Sequence, residues 1–354
     1  MDERCSAAAL QEFVERVMRA CELPGDDART VARLMVEADV TGADGHGVIR
    51  LSHYVGRIRG GAVNTHPNVA VRRTGPATAL VDGDNGMGHV VVSAAADAAV
   101  ELAAEAGFGW VGVRGSNHAG PGALYATMPL ERGMIGVYGA VASANHMPPW
   151  GSSERLLGTN PLAVAIPAGL EPPVVLDMAT TVVSYGTIKK FALRGEPLPP
   201  GWVVGLDGEP ITDAEHAHDG VLLPSGGYKG SGLAIVIGLL AGVLNGAAFG
   251  RDVVDFTTDV STETNTGHFI AALDIGRFTP IAEFTTEVDR HVRDMRAAQR
   301  LPGVDAIRLP GEQRFSRRAD RATNGIPIPP ALLRQLDEVA RDVGVRPLDR
   351  PAPR

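Results

Sequence analysis

The sequence predicts an α/β protein of the α+β kind, with helices at both chain ends clasping a β-rich middle. Three features carry this prediction. The 354 residues are 44% hydrophobic with a mean hydropathy of +0.02, which is enough apolar material for a substantial core; at about 150 residues per domain, two domains are expected. Apolar residues recur at helical spacing near both ends. Between those ends, from Gly109 onward, short apolar runs are punctuated by Gly and Pro, as strands and turns are.

Taken in order, Ser6 is placed to cap a helix over 8–20 that stops before Pro24-Gly25. Asp26-Asp27 open a second helix over 28–40, with Val31, Leu34, Met35 and Ala38 at helical spacing. The polar turn TGADGHG leads into a helical run over 48–60 that Gly60-Gly61 ends. The period then changes: 69–75 and 77–83 alternate as strands. Ser93 is expected to cap an Ala-rich helix that Gly107 ends. GWVGVRG, MIGVYGAVAS, PLAVAIPA and PVVLDMA read as strands. The apolar run over 230–250 reads as a buried core helix rather than a membrane span, because it contains Asn245 and many small residues and lacks an aromatic belt. Helices return over 285–299 and 330–344, separated by an Arg-rich irregular stretch around 308–321 read as solvated surface. The inserted middle domain is expected at 116–284, with 1–115 and 285–354 forming the other.

Composition removes several function classes. The net charge of −8 and pI near 5.7 argue against a nucleic-acid binder. Two cysteines, Cys5 and Cys21, exclude a disulfide scaffold and an all-cysteine zinc site. The N-terminal MDERCSAAALQEF lacks the apolar stretch of a signal peptide, so a cytoplasmic location without membrane contact is expected. Of 33 basic residues only Lys189, Lys190 and Lys229 are lysines, which marks two places where a compact ammonium is used.

Some motifs are decoys. Gly107, Gly109 and Gly112 match G-x-G-x-x-G, but here a helix precedes and a strand follows, the reverse of a dinucleotide fingerprint. GGYKGSG is no phosphate loop, because its Lys does not directly precede Ser or Thr. His216 and His218 lie in a polar loop with no third ligand in view, so no metal is expected.

Other segments point to chemistry. In DGHGVIRLSHY, Arg50 and Tyr54 are four apart and share a helix face, and His46 precedes them in a Gly-flanked turn. A guanidinium grips a carboxylate with two hydrogen bonds. His118 follows a strand in the Gly-rich loop SNHAGPG; an imidazole there can exchange the proton that accompanies carbonyl reduction. The loops GTNP (158–161), DMATT (177–181) and GYKG (227–230) sit at strand ends or a helix start, where a phosphorylated cofactor can bind.

As a set, in this order and at this spacing, these blocks resemble the type-2 malate/L-lactate dehydrogenase family, from the HG-x-x-R turn through NHAG, GTNP, DMAT and GYKG to Asn265-Thr266-Gly267-His268. That family also holds sulfolactate and ureidoglycolate dehydrogenases and a cyclic-imine reductase. The resemblance implies hydride transfer between NAD (or NADP) and a small 2-oxo or 2-hydroxy acid. It implies a non-Rossmann cofactor domain with a mostly antiparallel mixed sheet at 116–284, a substrate and dimerisation domain from both chain ends, and a homodimer or larger homo-oligomer. It assigns proton transfer to His118 and the substrate side to His46, Arg50 and Tyr54. It assigns cofactor contacts to Ser143, Asp177, Met178, Ala179, Lys189, Lys229, Gly267 and His268. Two departures stand out. Many members have Ser where this chain has Gly45, and the Asp that often follows the Trp of Pro-Gly-Trp is missing after Trp202, leaving Asp207 as a candidate. The alternatives are a cyclic-imine or ureidoglycolate-type enzyme and, from another class, a degenerate NAD(P)-binding protein.

Overall fold

The computed structural model describes residues 2–349; residue 1 and residues 350–354, the outermost ends of the terminal segments, lie outside the described residues. The chain opens with strand β1 (Glu3–Cys5), then helices α1 (Ala7–Ala20) and α2 (Gly25–Val40). Ser6 caps α1, its Oγ accepting the Ala9 N–H at 3.1 Å, a contact worth about 1 kcal/mol. Two short 3₁₀ turns, Asp44–His46 and Val48–Arg50, deliver the chain into α3 (Leu51–Arg59). Strands β2 (Ala70–Gly75) and β3 (Thr78–Asp82) follow, then α4 (Gly88–Ala106), β4 (Phe108–Ser116) and the short α5 (Ala123–Ala126). The middle continues with β5 (Met134–Ala140), β6 (Leu162–Ile166), β7 (Val174–Met178), α6 (Tyr185–Arg194), the two-residue strands β8 (Val203–Val204) and β9 (Val221–Leu222), α7 (Tyr228–Ala241) and β10 (Thr266–Asp274). The tail is α8 (Ile281–Ala297), α9 (Glu312–Asn324), β11 (Ile326–Ile328) and α10 (Pro330–Asp342).

The expected clasp of the chain ends is observed. β1 pairs antiparallel with β11, and one core packs Phe13, Val17 and Met35 from the first helices with Leu333, Leu336 and Val339 of α10. A seven-stranded sheet in the order β2-β3-β4-β10-β5-β6-β7 forms the second layer. Only β3 and β4, joined through α4, run parallel. This sheet spans the 115/116 boundary expected from sequence, since β4 pairs with β10 along its length. A third, small core gathers Val183, Ile188, Leu198, Val203 and Leu222 around α6.

Three sequence expectations are corrected. Ser93 is not a cap: α4 begins at Gly88, and the Ser93 hydroxyl donates to the His89 carbonyl within the helix at 2.7 Å. Burial of His89, Val91 and Val92 extends the helix past its polar signal. The Arg-rich stretch is largely helix α9, entered at Gly311, and not simply a solvated surface. Arg321 is buried against the Asp39 carbonyl and the Asp44 carboxylate, and Arg314 lies 3.6 Å from Glu37. The apolar run is helical, but α7 buries only one face, with Ala234, Ile237 and Ala241 inside and Leu233, Val236 and Leu239 exposed.

The G-x-G-x-x-G match has a packing cause. Gly107 ends α4 with φ +84°, a Cβ on Gly109 would meet the Ala99 carbonyl at 2.2 Å, and one on Gly112 would meet Asn245 Oδ1 at 2.0 Å.

Candidate active site

Each catalytic candidate is held by a neighbour that the sequence supplies locally. At the end of α2, Asp39 Oδ2 accepts the Val48 N–H at 2.8 Å, and a Cβ on Gly47 would strike that carboxylate at 1.9 Å. Burial raises the Asp39 carboxyl to about 8. Asp44 takes Lys190 at 3.0 Å and Arg321, so α6 and α9 both anchor the turn that carries His46. After β4, the Asn117 amide donates to Asn85 and to the Gly86 carbonyl, and its oxygen accepts from Thr264, which fixes the loop that presents His118.

These anchors bring the substrate-side set together. Tyr54 Oη lies 2.6 Å from His118 Nδ1, and His46 Nδ1 lies 3.4 Å from His118 Nε2. Arg50 Nε donates to the Gly45 carbonyl at 2.8 Å, while its buried Nη1 has no hydrogen-bond partner. A buried guanidinium nitrogen left without an acceptor is costly, and a ligand carboxylate would satisfy it.

A cavity of about 290 Å³ opens on this cluster; it is lined by His46, Arg50 and His118 and also by Ser143, Asp177 and Ala179. The second group, the strand-end wall, comes from the segment after β5, Thr159 and Pro161 before β6, and the end of β7. Asp177 Oδ2 accepts the Ala123 N–H at 2.9 Å, and burial raises its carboxyl to about 6 against that bond. The strand ends supply small side chains, among them Ala142, Ser143, Ala144 and Ala179. Such a surface suits a flat ring such as a nicotinamide, and the orphaned Arg50 nitrogen suits a carboxylate.

Other predicted residues stand off the cavity. Met178, the last residue of β7, lies between Asp177 and Ala179 in sequence and does not line it. Lys189 places its ammonium 5.8 Å from the Tyr185 ring centre, and it is Lys190 that lines the wall. Lys229 is exposed in the first turn of α7. Gly267 packs against the Ala241 carbonyl, and buried His268 faces Tyr138 Oη at 2.8 Å. At Gly45 a Cβ would lie 3.3 Å from the Gly186 Cα, so this wall is closed by α6 backbone. Asp207 is exposed, accepts the Glu209 N–H and does not line the cavity. His216 and His218 sit in an exposed turn.

The electrostatics favour neutral rings. Burial is the main cause that holds His118 well below the usual imidazole range, with His46, Arg50, His89 and His268 acting the same way. Burial, then Arg50 and Lys190, pushes His46 down to about 3. Burial raises the Tyr54 phenol, so it keeps its proton. Sequence reasoning missed Phe256, Tyr185 and His146, which also line the cavity, and His89, whose two ring nitrogens are buried without partners. None of them falls in a motif; only the fold brings them here.

The family profile described as malate/L-lactate dehydrogenase matches residues 5–337. A malate dehydrogenase of Pyrococcus abyssi is 38% identical over 351 residues, covering 96% of this chain and 95% of that one. A ureidoglycolate dehydrogenase (NAD(+)) of Escherichia coli O157:H7 is 31% identical, covering 92% of each. The structure of malate dehydrogenase from Pyrococcus horikoshii OT3 superimposes with a TM-score of 0.89 at 35% identity, covering 98% of this chain and all of that one. The motif order, the mixed sheet and these matches over nearly the full length agree: the chain belongs to the malate/L-lactate dehydrogenase family and is an oxidoreductase acting on hydroxy acids.

Proposed function

We propose that Arg50 holds the carboxylate of a small 2-oxo or 2-hydroxy acid while His118 exchanges the proton on its oxygen, with NAD as the cofactor. The observation that carries this is the buried, unpartnered Arg50 Nη1 in the wall that also holds His118. Ser143, Asp177 and Ala179 would hold the nicotinamide, which when bound supplies or accepts the hydride. Lys189, Lys229, Gly267, His268 and Met178 would act outside this cavity, on parts of the cofactor beyond the ring or by supporting the wall.

The chain's own residues set the proton. With its ring hydrogen on Nδ1, neutral His118 donates to the Tyr54 oxygen and leaves Nε2, toward His46 Nδ1, free to take and give a proton. A substrate carboxylate on Arg50 would cancel one of the charges that, after burial, hold His118 low, and so favours the protonated ring as the anion binds. His46 then shapes the pocket beside that nitrogen. In the oxidative direction the same nitrogen receives the hydroxyl proton.

The proposal includes a cytoplasmic homodimer or larger homo-oligomer. Leu233, Val236, Leu239, Val243 and Leu244 are exposed along α7 and the turn after it, an apolar stripe of the kind that subunit interfaces cover. Two cysteines in 354 residues suit a reducing compartment. The deciding experiment is a panel of 2-oxo acids and cyclic imines with NADH and NADPH, followed at the nicotinamide absorbance. Turnover of an oxo acid with NADH supports the reading. Turnover of imines alone, or preference for NADPH, replaces the corresponding part. NADH binding with no turnover of any acceptor favours the degenerate binder. Sedimentation of the purified chain tests the oligomer.

A further inference from the structure

The loop between α7 and β10 carries no motif, yet it reaches the centre of the site. Phe256 is 6% exposed and lines the cavity. Its ring lies nearly parallel to the His118 imidazole, with centroids 4.9 Å apart and planes 8° apart, and His118 stacks in turn with His46 at 5.4 Å and 11°. The same phenyl ring lies 5.6 Å from the Arg50 guanidinium carbon. One side chain therefore touches both groups assigned to proton exchange and carboxylate binding.

The loop is built to hold that ring. The Phe256 N–H donates to the Ser143 carbonyl at 3.0 Å. Asp255 Oδ1 accepts both the Thr257 N–H at 2.8 Å and the Thr257 hydroxyl at 2.6 Å. Farther along, Arg57, buried on the helix that carries Tyr54, donates to the Thr262 carbonyl at 2.9 Å and to the Asp259 carbonyl. Ring, histidine and tyrosine are thus tied to one another through α3.

We propose that Phe256 is a positioning residue for the dehydrogenase reaction: it fixes the plane of the His118 ring, shields one side of it from water and seats the Arg50 guanidinium. A flat apolar ring in parallel contact does this because it fills the space a water would take and leaves the imidazole no rotation without loss of contact. The groups that face His118 are His46 and Arg50 from the 44–50 turns, Tyr54 from α3, His89 from α4 and His268 from β10. None is a carboxylate. With no anion to hold an imidazolium, water access is what a change at Phe256 alters.

The consequence for turnover rests on the dehydrogenase reading; the effect on His118 does not. The test compares Phe256→Leu, which removes the ring, with Phe256→Tyr, which keeps it, in the full-length protein. Thermal unfolding checks that each is folded, and Phe256→Met replaces the Leu variant if that one is not. The His118 titration is read by NMR of histidine-labelled protein, assigned with His118→Asn, and kcat and KM are measured in parallel. In Phe256→Leu the His118 pKa is expected to rise by about one unit toward its ordinary value as water enters. The acid limb of kcat/KM for hydroxy-acid oxidation should move the same way, and kcat should fall roughly 10- to 100-fold with the KM for NAD unchanged. Phe256→Tyr should keep the wild-type titration. A wild-type His118 titration in the Leu variant, or equal shifts in the Leu and Tyr variants, overturns the proposal. A wild-type protein that turns over no oxo or hydroxy acid overturns the function instead, and the titration still judges the stack.

Discussion

His46 and Tyr54 each sit within hydrogen-bond reach of His118, and His46, His118 and Arg50 line the cavity together. From strand ends, Ser143, Asp177 and Ala179 line the same cavity, while Lys229, Gly267 and His268 stand outside it. On the proposed function, the difference follows from what each group of residues would do. Proton exchange and carboxylate binding need particular atoms a few ångströms apart, so their geometry is complete in the resting chain. Holding a long cofactor uses backbone amides, small residues and single charges spread along its length, each adding little.

The largest effect is expected from His118→Asn. It should lower kcat by roughly 10²–10⁴-fold, the usual weight of general acid–base catalysis, and leave the Kd for NADH unchanged. Stopped-flow turnover beside a fluorescence titration reads both. Near-wild-type turnover would place the proton elsewhere and remove the asymmetry between the two walls.

Arg50→Lys should come next. It keeps the charge but loses the planar fork, so the KM for 2-oxo acids should rise roughly 10- to 100-fold, the scale of one charge-assisted hydrogen bond. An ester analogue should be much less affected. Equal losses on acid and ester would show that Arg50 holds the turn through Gly45 and not the substrate.

The substrate wall was legible because its signals are local. The HG-x-x-R turn and the NHAG loop each place a functional side chain beside the glycine or helix that positions it, and the folded chain brings His46 and His118 to 3.4 Å across 72 positions of sequence. The mixed antiparallel sheet was legible through the family resemblance, whereas the α+β class came from hydrophobic period alone. What stayed hidden depends on tertiary packing. The start of α4 was masked because buried apolar residues override a polar cap signal at Ser93. Helix α9 was masked because its arginines look solvated until Asp44 and Glu37 are placed opposite them. Lys189 and Lys190 are adjacent in sequence, and only the helix phase decides which one meets Asp44.

Acid should act on the buried histidines around the site. His46, His89 and His268 are each held down to about 3, mainly by burial. An unfolded chain binds protons at such histidines below about 6.5 and the fold does not, so stability rises with pH in this window and is lost as pH falls from 6.5 toward 3. Each such group contributes about 1.4 kcal/mol per pH unit there. Denaturant unfolding at pH 7 and pH 5 should show the loss, and His89→Leu should make the slope shallower by one proton. A slope unchanged by that substitution would mean His89 is charged or hydrated in the fold.

The smallest effect expected is at Lys229, and it tests the cofactor side most directly. In a chain that writes Arg at 30 of its 33 basic positions, this lysine stands exposed at the start of α7, whose first N–H groups have no side-chain cap. Next to it, Gly230 packs on the Thr180 carbonyl, one residue from the Ala179 that lines the cavity. An ammonium there would add one mobile charge for a phosphate or ribose oxygen lying beyond the cavity. Lys229→Ala should therefore weaken NADH binding only about two- to fivefold, with the effect shrinking as salt screens it, and leave kcat at saturating cofactor unchanged. Fluorescence titration at low and moderate salt reads the difference. Equal Kd values at both salts would take Lys229 out of the cofactor path and leave the strand-end wall alone to hold the nicotinamide. A large loss, comparable to that at His118, would show instead that the cofactor side depends on a single residue as strongly as the substrate side does.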